Sequence, residues 1–222
     1  MKKLNLKNKL NFRSLVMVGI FSLALVAVSC NKADDGFFPE EAFSAQDAEL
    51  KKGKAVKPGN QTIAEIVVAS TEAEEPQFTL LLGALEYAGL TGVFTGGEQY
   101  TVFAPTDEAF VNLVTAVSGL LDQDILANDG PFAAIDALLG EGTISNVLLY
   151  HVVEGRRAAN SVVPPRGTRT ITTLLGATFT VGTDLGITAV GNTANIIDAN
   201  ISASNGIIHV IDAVILPVDL GL

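Results

Sequence analysis

The 222-residue sequence predicts an α+β fold in one domain, with helices first and a hairpin-rich sheet after them. From Thr62 to Tyr150 apolar residues recur mainly at helical spacing, whereas from His151 onward β-branched residues dominate and turn signals cut the chain into short strands. Strand and helix do not alternate in the sustained way that a parallel, Rossmann-type sheet requires. Hydrophobic residues make up 48% of the chain, enough for one good core, while 21 glycines supply turns.

The first 29 residues belong to export rather than to the fold. "MKKLNLKNKLNFR" carries five basic residues, and the uncharged run from Ser14 to Ser29 follows it. That run is shorter than the about 20 residues a membrane-spanning helix needs. It ends in "VAVSC", at Cys30, the chain's single cysteine, and so resembles a bacterial lipobox with Ala27 where Leu is usual. The resemblance implies that Cys30 becomes an acylated N-terminus, lipid-anchored in the cell envelope. Residues 30–60 mix charge with Gly and Pro without a sustained period and read as a tether. Asp34 and Asp35 close behind Cys30 are similar to signals that direct lipoproteins to an outer membrane and its surface.

The domain is expected over residues 61–218. "TIAEIVVAS" places Ile63, Ile66 and Val67 on one helical face, and Phe78 to Tyr87 does the same with Leu81, Leu82 and Leu85 before a stop at Gly89. Tyr100 to Ala104 reads as a strand, Asp107 to about Val117 as a helix, and Phe132 to Leu139 and Ile144 to Tyr150 as two more helices split by Gly140 and Gly142. Turn signals at "PPRG", "LLGA", "GTDLG", "VGNT" and "SNG" then separate strands.

Charge excludes one class of function. Without residues 1–29 nine basic and twenty-four acidic side chains remain, a formal charge of −15. Pro58 to Gly155 holds fourteen acidic residues and no Lys or Arg, a surface that repels nucleic acid.

Two stretches stand out. In "YTVFAPTDEAF", Pro105 ends the strand, Thr106 takes the N-cap position of the next helix, and Asp107 and Glu108 meet the positive end of its dipole. In "ASNGIIHVIDAVILP", Asn205-Gly206 signals a tight hairpin, since both residues tolerate positive φ. The strand after it is apolar on both faces: Ile207, Ile211 and Ile215 lie with His209, and Ile208, Val210, Val214 and Leu216 with Asp212. Such a strand is central and covered on both sides, and its two polar side chains need partners.

Together these stretches resemble the two signature boxes of the fasciclin (FAS1) domain, and "LLYHVVEG" between them resembles that family's Tyr-His pair, here Tyr150 and His151. The resemblance covers Gln61 to Val218 as a single copy. It implies a wedge-like β-sandwich with helices from the N-terminal half packed on it. It also implies adhesion, with contact to an extracellular or envelope protein or a glycan, without catalysis or cofactor. Carried over by position, Thr106 and Asp107 belong to the first box and Asn205, His209 and Asp212 to the second, all largely structural. The Tyr150–His151 region is linked to adhesive contact. The segment Val117 to Gly142 is longer than the family pattern leads one to expect.

Other chemistries find little to stand on. The two histidines lack the third and fourth donors of a transition-metal site. Asp122 to Gly130 is no EF-hand, with no Gly at its sixth position and no Glu at its twelfth. The alternative to an adhesion module is an envelope enzyme or accessory acting on polysaccharide through paired carboxylates. Against it, the chain has no Trp and three Tyr to stack on sugar rings.

Overall fold

The computed structural model describes residues 57–121 and 130–221. Cys30, the signal segment, residues 31–56 of the tether and the acidic stretch at residues 122–129 lie outside the described residues.

Helix α1 (Ile63–Thr71) begins at a capping box. The Glu65 N–H donates to the Thr62 hydroxyl (3.2 Å), and the Thr62 N–H donates to the Glu65 carboxylate (2.7 Å). Helix α2 (Thr79–Tyr87) has no such device of its own, because its N-cap is Phe78, buried and left-handed at φ 62°. A short 3₁₀ turn, Thr91–Thr95, leads to β1 (Tyr100–Pro105) and α3 (Asp107–Leu121). The predicted corner forms: the Ala109 N–H donates to the Thr106 hydroxyl (3.2 Å), and the Phe110 N–H opens the helical ladder on the Thr106 carbonyl (3.2 Å). Helix α3 runs past the predicted end at Val117, which is itself buried. After α4 (Pro131–Leu139) and α5 (Thr143–Tyr150) come β2 (Val152–Glu154) and the one-turn helix α6 (Ala159–Val162). The chain closes with β3 (Thr168–Thr172), β4 (Thr178–Gly182), β5 (Gly186–Thr188), β6 (Thr193–Ala203) and β7 (Gly206–Ile211).

The sheet order is β2-β1-β7-β6-β5-β4-β3. Hairpins account for β3 through β7, but β1, from the helical half, inserts between β2 and β7 and runs parallel to β7, from Tyr100 opposite Gly206 to Pro105 opposite Ile211. Both strands of this pair are buried along their whole length, as strands covered on two faces must be.

The β6–β7 hairpin exists but not in the expected form. Its loop residues are Ser204 and Asn205, and neither Asn205 nor Gly206 has positive φ. Gly206 is required by crowding: a Cβ there would lie 2.1 Å from the Tyr100 carbonyl oxygen and 2.6 Å from Ile63 Cδ1.

Two cores sit on opposite faces of the central strands. Tyr100, Val102 and Ala104 of β1, with Ile208 and Val210 of β7, pack under the helices. Phe103 and Ile211 point the other way, towards Ile171, Phe179, Val181 and Ile187 of the distal strands. Strand β6 makes this second core possible. Register shifts on either side of Asp198, with Asn200 at φ 70°, bend the strand so that β3, β4 and β5 fold over the central sheet as a wedge-like sandwich. Phe103 and Phe179 meet edge to face across it, ring centres 5.0 Å apart.

Candidate functional site

The residues singled out by sequence converge on the β1–β7 pair, and most are buried. Asn205 is 3% exposed at one end of the pair. Its side-chain oxygen accepts from the Ile63 N–H (2.8 Å) at the start of α1, and its amide donates to the Phe94 carbonyl (2.6 Å) in the 3₁₀ turn. At the other end the Asp107 carboxylate accepts from the Thr79 and Leu80 N–H groups, and so caps α2 as well as facing its own helix dipole.

The two histidines are fixed as opposite neutral tautomers by what surrounds them. His151 donates from Nδ1 to the Val147 carbonyl (2.7 Å), while its Nε2 accepts from the Ile215 N–H (3.0 Å). His209 uses Nδ1 to accept from the Asn200 N–H (3.3 Å) and donates from Nε2 to the Arg157 carbonyl (3.0 Å). Burial pushes the His151 pKa down to about 4 and lowers that of His209 as well. From the sequence, the first box is the expected source of a partner for His209; its polar partners are instead Asn200 of β6 and the loop residue Arg157, neither of them in that box. Thr101 of β1 accepts from the Arg157 N–H (2.8 Å), so Thr101 and His209 hold the two sides of the same loop residue.

Tyr150 and His151, the pair tied to contact by resemblance, are 0% and 2% exposed. Tyr150 donates to the Thr178 carbonyl (2.7 Å) and packs on Phe179, so a partner at the native surface meets neither side chain. Asp212 differs from expectation in the opposite sense. It lies just beyond β7, exposed, where the Asn195 N–H (2.7 Å) and side-chain amide (2.9 Å) both donate to its carboxylate.

Three contributors had no sequence signal that distinguished them. Asp136, 9% exposed on α4, accepts from the Gly142 and Ile144 N–H groups and caps α5; the only hint was a carboxylate inside the apolar run "AAIDALL". Arg156 donates to the Ala203 and Lys57 carbonyls (2.7 and 3.1 Å) and to the Ser202 hydroxyl (2.6 Å), binding residue 57 to β6. Asn192 clamps the chain after β7, accepting from the Leu216 N–H (3.0 Å) and donating to the Val214 carbonyl (2.8 Å).

Asp107, Asp136 and Asp212 are thus each engaged by amide groups. Among the described residues no three His, Cys, Asp or Glu side chains gather as a metal-binding set, and no helix is long and apolar enough to cross a membrane.

The outward face of the distal sheet is different in kind. Thr170 of β3 stands opposite Thr180 of β4, Thr180 opposite Thr188 of β5, and Thr188 opposite Thr193 of β6, with Thr172 opposite Thr178 beside them. All six are exposed or half-exposed.

These features define an α+β wedge whose signature residues brace a buried central strand pair and whose outer sheet offers hydroxyls. Residues 76–217 match the family model described as Fasciclin domain, and the chain belongs to that family. It is 30% identical over 174 residues to Protein sll1483 of Synechocystis sp., covering 77% of this chain and 84% of that protein. Immunogenic protein MPB70 of Mycobacterium bovis is 29% identical over 221 residues, covering 96% of this chain and 99% of its own. Cell surface glycolipoprotein MPB83 of the same species is 30% identical over 164 residues, 70% of this chain and 62% of that one. Among solved structures, a FAS1 domain pair from the insect cell adhesion molecule fasciclin I aligns with a TM-score of 0.40 at 17% identity, over 66% of this chain and 47% of that one.

Proposed function

We propose that this chain is a cell-envelope adhesion module, anchored through acylated Cys30, that meets a protein or glycan partner with the threonine-lined face of β3 to β6. The observation that carries the reading is the in-register row Thr170, Thr180, Thr188 and Thr193 across four strands. Thr suits exposed strand positions anywhere, but a row in register makes a continuous surface of hydroxyls, each a donor and an acceptor. Sugar hydroxyls and extended peptide backbones present the complementary groups. Membership of a family with a cell-surface glycolipoprotein in it supports the location, and the lipobox-like "VAVSC" supports the anchor. A single acyl chain gives only marginal membrane binding, whereas the several chains of a bacterial lipoprotein hold firmly.

The test replaces hydroxyls with methyls of the same shape. The triple variant Thr170→Val, Thr180→Val and Thr188→Val should keep its melting temperature and lose binding on a glycan array and to intact cells. Unchanged binding by the folded variant, or hydrolysis of a polysaccharide panel by the parent chain, would overturn the reading.

A further inference from the structure

The core under the helices leaves a cavity of about 340 Å³ between α1, α2, the 3₁₀ turn and the β1–β2 corner. Its walls are Ile63, Val67, Leu81, Leu85 and Phe94, and its floor is Val102, Leu148 and Val152. His151 also borders it, but both ring nitrogens already bond main-chain groups, so the ring adds no free polar atom to the interior. The rim is Val68, Glu86, Thr91 and Thr95, all exposed. Glu86 is the one charged residue in the lining, and the sequence from Pro58 to Gly155 supplies no Lys or Arg to offset it.

We propose that this cavity binds a small uncharged hydrophobe, a hydrocarbon chain or ring whose hydroxyl or amide head rests at the threonine rim. Its volume exceeds the about 150 Å³ that suffices for benzene and falls within the about 300–1,000 Å³ of small-molecule sites. Apart from His151, whose nitrogens are already bonded, the buried side chains of the lining are all apolar, so the part of the ligand that they enclose is apolar too. A carboxylate or phosphate head would stand beside Glu86, where like charges repel. Nothing in this proposal depends on the threonine face, which lies on the distal sheet.

The probes are 1-decanol and decanoate, titrated calorimetrically at neutral pH into the full chain carrying Cys30→Ser, so that no acyl chain of its own competes. Decanol should bind once per chain, and decanoate on the order of tenfold more weakly or not at all. Methyl resonances of Val67, Leu81 and Leu85 should shift with decanol, while those of Val190 and Ile197, exposed elsewhere, should not. Val67→Phe, filling the cavity, should weaken decanol binding by at least roughly tenfold. If that variant does not fold, Ala64→Phe at the α1 wall makes the same test from the side of the mouth. No binding of decanol, equal or tighter binding of decanoate, shifts spread over the surface, or a folded cavity-filled variant that binds normally would each overturn the proposal.

Discussion

Asp107 belongs to α3 but caps α2, its carboxylate accepting from the Leu80 N–H at 2.8 Å and the Thr79 N–H at 3.1 Å. Phe78, the residue in the N-cap position of α2, makes no side-chain bond to the helix, so a residue 27 positions away from Leu80 supplies it. Thr106 and Asp107, side by side, therefore secure two different helices. Asp107→Ala should destabilise the domain by about 1–2 kcal/mol, and Thr106→Ala by about 1 kcal/mol, as lost caps do. Chemical denaturation measures both. If Asp107→Ala leaves the midpoint unchanged, the inter-helix cap contributes nothing.

Asn205 bonds α1 and the 3₁₀ turn at once, across sequence separations of 142 and 111 residues. Asn205→Ala leaves a buried N–H and a buried carbonyl without partners, at about 1–3 kcal/mol each. Asn205→Asp keeps the acceptor for Ile63 but sets a buried carboxylate oxygen against the Phe94 and Gly96 carbonyls, so at neutral pH it should cost at least as much as alanine. A variant of either kind that unfolds at the parent's midpoint would contradict the bonding scheme.

Gly206→Ala should fail to reach the native packing, since its Cβ would lie within 2.1 Å of the Tyr100 carbonyl. Gly167, in the turn before β3, has φ +66° and open space within 4 Å of where a Cβ would stand, so Gly167→Asn should be tolerated. Comparing melting temperatures of the two variants separates crowding from backbone freedom.

Acid should weaken the fold through its histidines. Both imidazoles are neutral when folded, with His151 pushed down to about 4 and His209 lowered by burial against the opposing pull of the Arg157 carbonyl and Asp198. Unfolded imidazole titrates near about 6.5, so the unfolded state takes up protons first. The stability that the neutral rings contribute is complete above about pH 6.5 and falls as pH drops below it, the His151 share being lost as pH approaches about 4. His209→Leu should remove the His209 share of that pH dependence. It should also cost stability at neutral pH, because Asn200 and Arg157 lose their partner. Nitrogen shifts should report Nδ1–H for His151 and Nε2–H for His209; the reverse would contradict the geometry.

Cys30→Ser should move the protein from the membrane fraction to the soluble fraction, if acylation is the anchor. A variant that stays with the membrane rules out the lipid as its attachment.

What the sequence determined by itself was local. Capping and dipole preferences act within one helical turn, so "APTDEAF" specified its own corner, and side-chain alternation specified that Ile211 and Ile215 share one core while Ile208, Val210, Val214 and Leu216 share the other. Helix order, the start of the strand-rich half and the burial of His209 follow from the same short-range periodicity. Tertiary structure decided the rest. Only the parallel pairing of β1 with β7 brings Thr101 and His209 to the same loop residue, and only the bend in β6 closes the second core over Phe103 and hides Tyr150. Gly206 read locally as a turn residue, yet its role is set by the carbonyl of a strand more than a hundred residues earlier. The physical reason is one of range. Backbone preference depends on neighbours in the chain, whereas a buried polar side chain is satisfied by whichever amide or carbonyl the packed sheet places within about 3 Å of it.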